Sequence, residues 1–254
     1  MSAQSRLQRM IEGNGVLPVA ILPWGMVNAF ILYSEQGCIL VDAGLPDSLP
    51  QFERSLATLG RRWSDVKLIV VTHGHVDHAG CAVALREQSG APIVAHEREV
   101  PFLTGQRQMT LCPTRLFGKL FLKTGAPRKP YRRFSPDIIV QGDGDLALKP
   151  YGIEGRIVST PGHTPGSISV TLNQGRALVG DLVASGMSLG GVAFKNSPLR
   201  PPFEEDPREV AQQLERLLQD GTEQFFLGHG GPLDALEVSR HVTKLRELEL
   251  SKRS

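Results

Sequence analysis

The chain has 254 residues, 41% of them hydrophobic, and its 28 Lys and Arg against 26 Asp and Glu leave a net charge of +2. That balance gives no global case for nucleic acid or membrane binding, and the length suits one α/β domain with a large buried core. Three cysteines, Cys38, Cys81 and Cys112, are an odd number without Cys-x-x-Cys spacing, which fits free thiols in a reducing compartment and speaks against a thiolate metal site.

Met1 to Arg9 lacks the apolar core of a signal peptide, and no apolar run reaches transmembrane length, so the cytoplasm is the expected location. Val16–Pro23 and Val27–Ser34 read as strands joined by a Trp24-Gly25 turn, and Gly37–Asp42 as a third. Such close spacing favours antiparallel hairpins. Asn28 reads as an edge-strand polar residue. Asp42, at the end of an apolar strand, is either a turn former or a group facing a site. A helix starts at Asp47-Ser48, carries Phe52, Leu56 and Leu59 on one face, and ends near Gly60. Val66–Val71 is a buried strand. It runs into Thr72-His73-Gly74-His75-Val76-Asp77-His78-Ala79-Gly80, which packs three imidazoles and a carboxylate into six residues. Imidazole and carboxylate are ligands that zinc favours when thiolate is absent. Side chains two apart in extended backbone point the same way, so His73 and His75 can grip one ion. Asp77 and His78, where the chain turns into a helix over Cys81–Gln88, can face a second. Pro92–Ala95 is a short strand, and the lone His96 after it reads as structural rather than as a ligand. The succession of strands and helices so far argues for a layered mixed α/β fold.

Val100–Pro136 breaks that rhythm. It holds Arg107, Arg115, Lys119, Lys123, Arg128, Lys129, Arg132 and Arg133 and no Asp or Glu, with apolar residues interleaved. Leu116–Lys123 can form an amphipathic helix. The insertion at about 100–136 is either a solvated basic flap, a lid over the metal turn or a homodimer face, with membrane-surface contact a further option. The β pattern resumes at Ile138, Asp143-Gly144-Asp145 reads as a turn, and Ile153–Ser159 as a strand. In Thr160-Pro161-Gly162-His163-Thr164-Pro165-Gly166-Ser167, two Pro-Gly steps hold His163 in a tightly shaped loop. Ser167–Leu172 and Arg176–Gly180 form a hairpin ending at Asp181. Val183–Pro202, rich in Gly, Ser and Pro, reads as a long loop. Asp206-Pro207 opens a helix with Val210, Leu214, Leu217 and Leu218 on its apolar face. Phe225–Leu227 is a short strand leading into Gly228-His229-Gly230-Gly231-Pro232. A last helix over about Leu233–Leu250 places His241 among charged residues, as an exposed side chain.

His73, His75, Asp77, His78, His163, Asp181 and His229 thus all sit at or just past strand ends. In this order they resemble the metallo-β-lactamase-fold hydrolases over nearly the whole chain. His73-Gly74-His75-Val76-Asp77-His78 resembles that family's His-x-His-x-Asp-His signature. Pro161-Gly162-His163-Thr164 is similar to its next histidine motif, Gly180-Asp181 to its bridging aspartate, Gly228-His229-Gly230 to its last histidine, and Val41-Asp42-Ala43-Gly44 to its early aspartate motif. The resemblance implies a four-layer αββα sandwich, two mixed β-sheets flanked by helices, over residues 1–254. It implies two divalent metals: His73, His75 and His163 on the first, Asp77, His78 and His229 on the second, Asp181 bridging, and Asp42 orienting a ligand. Zinc is the expected metal, with Mn2+ or Fe2+ also compatible with these ligand types.

Two neighbouring cations can share a water and bring its pKa towards ~7, so that hydroxide is available to attack a carbonyl or phosphoryl centre. Asp77 is then placed to orient that nucleophile or to shuttle a proton. Within the resemblance, His75 stands where the flavodiiron redox branch carries glutamate. Asp181 supplies a carboxylate that the true β-lactamases lack. The chain is also too short for the nuclease branch with its large inserted domain. What remains is the glyoxalase II-like or lactonase-like branch, hydrolysing a small-molecule ester, thioester or lactone. It lacks a separate glutathione-binding helical domain, and Leu182–Met187 holds no tyrosine of the kind that assists lactonases. The alternatives are a phosphodiesterase that attracts an anionic substrate with the basic stretch, and a metal-containing binding or regulatory protein. No nucleic acid partner is expected.

Overall fold

The computed structural model describes residues 15–187 and 193–250. The expectations for Met1 to Arg9, and the middle of the Val183–Pro202 loop, lie outside them.

Two sheets form the centre. The first takes β1 (Gly15–Leu22), β2 (Val27–Ser34), β3 (Gly37–Val41), β4 (Val66–Val70), β5 (Ile93–His96) and β6 (Ile138–Val140), in that spatial order. β1, β2 and β3 pair antiparallel, as their four- and two-residue connections favour, and β3 to β6 pair parallel through helical crossovers. The crossovers are α1 (Leu49–Thr58), then α2 (Val76–Ala79) with α3 (Ala82–Ser89), then α4 (Val100–Leu103) with α5 (Leu116–Lys123). The chain continues through β7 (Asp145–Ala147), β8 (Gly155–Ser159), β9 (Ile168–Leu172) and β10 (Arg176–Leu178). A small ribbon of β11 (Ala184–Ser185) and β12 (Pro198–Leu199) follows, then α6 (Pro207–Gln219), β13 (Gln224–Phe226), β14 (Leu233–Asp234) and α7 (Ala235–Leu250). The second sheet is ordered β14-β13-β10-β9-β8-β7 and is parallel only between β10 and β13.

The period-2 alternation of the strands decides what packs where. On β2, Phe30 and Leu32 face the second sheet, meeting Ile157, Val170 and Leu178 in the central core. Their neighbours Ile31 and Tyr33 face outward onto Phe52 and Leu56 of α1 and Leu85 of α3. On the far side, Ala177 and Phe225 pack under Val210, Leu214 and Leu217 of α6 and Val238, Val242 and Leu245 of α7. Three apolar interfaces between four layers make the expected αββα sandwich. Each fully buried Leu, Ile or Phe in them stabilises the fold by about 1.5–3 kcal/mol.

Three local expectations are corrected. Asn28 is not on an edge: β2 lies between β1 and β3, and the buried Asn28 amide donates to Leu227 O (3.1 Å) and Gly230 O (3.0 Å). It ties the first sheet to the loop that carries His229. Asp145 opens a strand, paired with Val158, rather than closing a turn. His241 is buried, not exposed, because the apolar stripe of α7 turns it inward.

Burial, reinforced by Lys244, Arg200 and Arg115, pushes the His241 pKa down to about 4 from its ordinary 6.5. Between those values the unfolded chain binds a proton that the folded chain refuses. Stability is therefore complete above pH 6.5 and falls as the pH drops towards 4, by at most about 3 kcal/mol. His241→Leu is expected to flatten that part of the acid limb in denaturant titrations run from pH 7 to pH 4.

Candidate metal centre

The four chain segments predicted to carry ligands, and the one that carries Asp42, come to one edge of the sandwich, beyond the ends of β4, β8, β10, β13 and β3. Backbone hydrogen bonds set them there. Asp42 N–H donates to Val70 O (2.7 Å), Ala43 N–H to His78 O (2.7 Å), Ile168 N–H to Thr72 O (3.0 Å) and Gly228 N–H to Gly180 O (2.8 Å). Asp42 itself adopts a left-handed backbone (φ 63°), a conformation that Asp tolerates better than most residues. Gly228 is required by close approach: a Cβ on it would lie 2.3 Å from Asp181 Oδ1 and 2.5 Å from His78 Cε1.

The turn at Asp42 places its carboxylate beneath the histidine loop. Oδ1 accepts from Thr72 N–H and from Thr72 Oγ1–H, both at 2.8 Å, and Oδ2 lies 2.8 Å from His78 Nδ1. Having donated its proton, Thr72 Oγ1 is left to accept from His73 Nδ1 at 3.0 Å. His229 Nδ1 donates to Met26 O at 2.5 Å. Each of these bonds fixes a proton on Nδ1 and leaves Nε2 of His73, His78 and His229 aimed into the centre. Metal-binding imidazoles are held in this way.

The donor atoms converge in two adjoining groups. His73 Nε2, His75 Nδ1 and His163 Nε2 form a triangle with every side 3.1 Å. Three imidazole nitrogens about 2.0–2.1 Å from one tetrahedral zinc sit about 3.3 Å apart, so the triangle fits an ion with little movement. Asp181 joins this group, its Oδ2 3.8 Å from His163 Nε2. The second group is Asp77, His78 and His229. Asp181 reaches it too, with Oδ1 3.3 Å from His78 Nε2 and Oδ2 3.1 Å from His229 Nε2, while Asp77 Oδ2 is 3.5 Å from His229 Nε2. His78 Nε2 and Asp181 Oδ1 are buried and without a hydrogen-bond partner, an arrangement that is costly unless something else satisfies them.

The electrostatics separate the two groups. Burial and the neighbouring imidazoles hold His73 well below the ordinary histidine range. Burial does the same to His163 against the pull of Asp181, and takes His75 down to about 4. These three are neutral donors at pH 7, the state that binds metal. For His78 burial acts downward but is outweighed by Asp181 and Asp42, which hold it well above its ordinary value. For His229 burial is likewise outweighed by Asp181 and Asp77, which bring it to about 9. Burial works against ionised Asp181 as well, and the His229 and His78 partners keep it ionised. The second group therefore demands positive charge, met by protons on the bare protein and equally by a cation.

One residue absent from the predicted set holds the first group together. Glu99, fully buried, accepts from Gly74 N–H (2.7 Å) through Oε2, and from Thr164 Oγ1–H (2.8 Å) and Gly166 N–H (3.0 Å) through Oε1. Gly74 lies between His73 and His75, and Thr164 follows His163, so one carboxylate clamps both ligand loops. Burial pushes the Glu99 pKa up despite those three donors. In the sequence it is one acid of Glu97-Arg98-Glu99, with nothing local to mark it. His96 stays outside the centre: it donates from Nε2 to Gly142 O and accepts Arg98 N–H at Nδ1.

A cavity of about 220 Å³ opens onto the centre, with His75, Asp77, Asp181 and His229 in its wall. The rest of its lining is apolar: Leu22, Met26, Val27, Leu45 and Val76 from one side, and Leu111, Phe121, Ala126, Pro127, Pro202 and Phe203 from the other. Among the described residues no Lys or Arg lines it.

Comparison with known proteins agrees with this geometry. The chain is 29% identical to the probable metallo-hydrolase YflN of Bacillus subtilis, across 82% of this chain and 80% of that one. It is 27% identical to the hydroxyacylglutathione hydrolase GloC of Haemophilus influenzae, across 66% and 73%. Among solved structures it matches a motif mutant of a metallo-beta-lactamase from Cronobacter sakazakii, with a TM-score of 0.64 at 25% identity over 94% of this chain and 95% of that one. The family model of the metallo-beta-lactamase superfamily matches residues 22–229. The chain, with its His and Asp cluster at the sheet edge, belongs to the metallo-beta-lactamase superfamily and is a metal-dependent hydrolase.

Proposed function

We propose that the protein hydrolyses an uncharged, apolar ester, thioester or lactone at a dinuclear centre, with zinc as the metal and Mn2+ or Fe2+ as substitutes that the same donors accept. His73, His75 and His163 would hold one ion and Asp77, His78 and His229 the other, with Asp181 in reach of both groups. When bound, the two ions supply Lewis acidity and a water acidified to near neutral pH. The chain supplies the rest. Asp42 and Thr72 keep His73 and His78 in one tautomer. Asp77, the most exposed of the seven donors, faces the cavity and is the group to orient the attacking water and carry its proton. Residues 100–136 act as a lid, with Leu111, Phe121, Ala126 and Pro127 closing one side of the cavity.

The observation that carries the substrate class is this cavity, apolar everywhere except at the ligand side chains. Its volume, about seven waters' worth, suits a short acyl or aryl group. The phosphodiesterase reading needs cations in the cavity wall, where none of the described lining residues is Lys or Arg, and three cations of the lid are engaged elsewhere. Lys129 pairs with Asp47, Arg132 with Glu87, and Arg133 lies over the Tyr131 ring and donates to Phe102 O. The kinship with a hydroxyacylglutathione hydrolase supports thioester cleavage, but an anionic thiol such as glutathione finds no basic partner in this lining.

A substrate panel tests the assignment. Neutral aryl and alkyl esters, alkyl thioesters and lactones are expected to exceed phosphodiesters and glutathione thioesters in kcat/KM by at least about 100-fold, the equivalent of about 3 kcal/mol. A phosphodiester ranking first would overturn it.

A further inference from the structure

The apolar lining continues out of the cavity and onto the surface. Phe203 stands edge-on to the His75 ring, with centroids 6.2 Å apart. Phe121 stacks on Phe203 at 6.0 Å, and Phe117 on Phe121 at 5.9 Å. Phe117 is 48% exposed, so a ladder of three aromatic rings leads from solvent to a metal-site histidine. It is built on α5, and the seating of that helix is fixed by Gly118, where a Cβ would lie 2.2 Å from Pro202 O. With Gly118 inward, Leu116 and Leu120 point to solvent, 71% and 54% exposed. Trp24, 67% exposed, sits on the turn between Leu22 and Met26, and both of these line the same cavity.

Large apolar side chains clustered at a cavity mouth mark a surface that is covered in use. The charge around them selects the cover. Lys119 and Lys123 are exposed on the same short helix and Arg115 just before it, and residues 100–136 carry eight Lys and Arg with no Asp or Glu. A two-fold copy would set this patch against itself, cation against cation, with no acid in the segment to compensate. An anionic lipid surface matches both features: acyl chains for Leu116, Leu120 and Trp24, and headgroups for the cations. Trp is also the side chain best suited to that boundary.

We propose that the α5 face docks on an anionic lipid surface, with the cavity mouth against it, so that a lipophilic substrate passes along the Phe117–Phe121–Phe203 ladder to the centre. The delivery rests on the proposed ester hydrolysis. The docking does not, because vesicle binding is read without turnover.

The test is co-sedimentation of the full chain with vesicles of phosphatidylcholine alone and with about one third phosphatidylglycerol. Binding is expected only to the anionic vesicles, weakening with added salt and by about fivefold for each of Lys119→Gln and Lys123→Gln. Leu116→Glu with Leu120→Glu is expected to weaken it at least about tenfold, while leaving the melting temperature and the turnover of a short water-soluble ester unchanged. Vesicles should shift Trp emission to shorter wavelength in the wild type but not in Trp24→Phe, with Trp63 as the internal control. No binding to anionic vesicles, or binding indifferent to the double Leu variant, overturns the proposal. A dimer in light scattering that the double Leu variant dissociates also overturns it, in favour of a second copy on this face. Anionic vesicle binding together with inertness to every ester would keep the docking and remove the hydrolytic reading.

Discussion

Asp181→Ala is expected to lower turnover on the best ester of the panel by at least about 10³-fold, about 4 kcal/mol of barrier. The Asp181 carboxylate reaches ligand nitrogens of both donor groups: it lies 3.1 Å from His229, 3.3 Å from His78 and 3.8 Å from His163. Its charge is also the leading attractive influence on His78 and His229. Without it both imidazoles lose the partner that orients their Nε2 atoms, and two like-charged ions would face each other with no anion between them. Asp181→Asn keeps the shape and removes the charge, and should fall nearly as far. The measurement is kcat at saturating ester alongside metal content. A loss under tenfold with both ions retained would show that Asp181 neither bridges nor balances them.

Glu99→Ala comes second in expected effect and separates positioning from chemistry. It leaves the buried Gly74 and Gly166 N–H groups without an acceptor and the Thr164 hydroxyl with only Ser167 Oγ beside it, and each orphaned donor costs about 1–3 kcal/mol unless water enters. The loops bearing His73, His75 and His163 then lose their shared anchor. Affinity for the ion of that group is expected to fall about 10–100-fold, the range seen when groups behind metal ligands are removed. Chelator competition reads this directly, and KM for the ester should change little. Glu99→Gln, which still accepts through its carbonyl oxygen, should recover part of the affinity. If metal affinity stays at the wild-type value while only the melting temperature drops, Glu99 is a fold residue and not a positioning one.

The cluster of candidate donors was legible because its chemistry is local. His73, His75, Asp77 and His78 lie within one turn, and His163, Asp181 and His229 each end an apolar strand, so strand ends gathered on one edge bring them together. The layers were legible from the same apolar runs, and the Leu116–Lys123 helix from its own pattern. What escaped depends on contacts between distant segments. Glu99 owes its role to backbone groups of two loops, one of them more than sixty residues away, and nothing in Glu97-Arg98-Glu99 encodes that. Asn28 resembled an edge residue because its partners, Leu227 and Gly230, belong to the other end of the chain. His241 resembled a solvated residue because its neighbours in sequence are charged, while its place on α7 is set by the apolar stripe of Val238, Val242 and Leu245. The apolar character of the cavity likewise arises only when Leu111, Phe121, Ala126 and Pro127 come together with residues next to the first sheet.

The proposed arrangement groups seven donors into two adjacent metal sites rather than one. It is tested most directly by titrating the metal-free protein with Zn2+ against a chromophoric chelator and counting tight equivalents. Two per chain are expected in the wild type, and one in the double variant Asp77→Ala with His229→Ala, which leaves His73, His75, His163 and Asp181 intact. A single equivalent in the wild type, or a stoichiometry that the double variant does not change, would contradict the account.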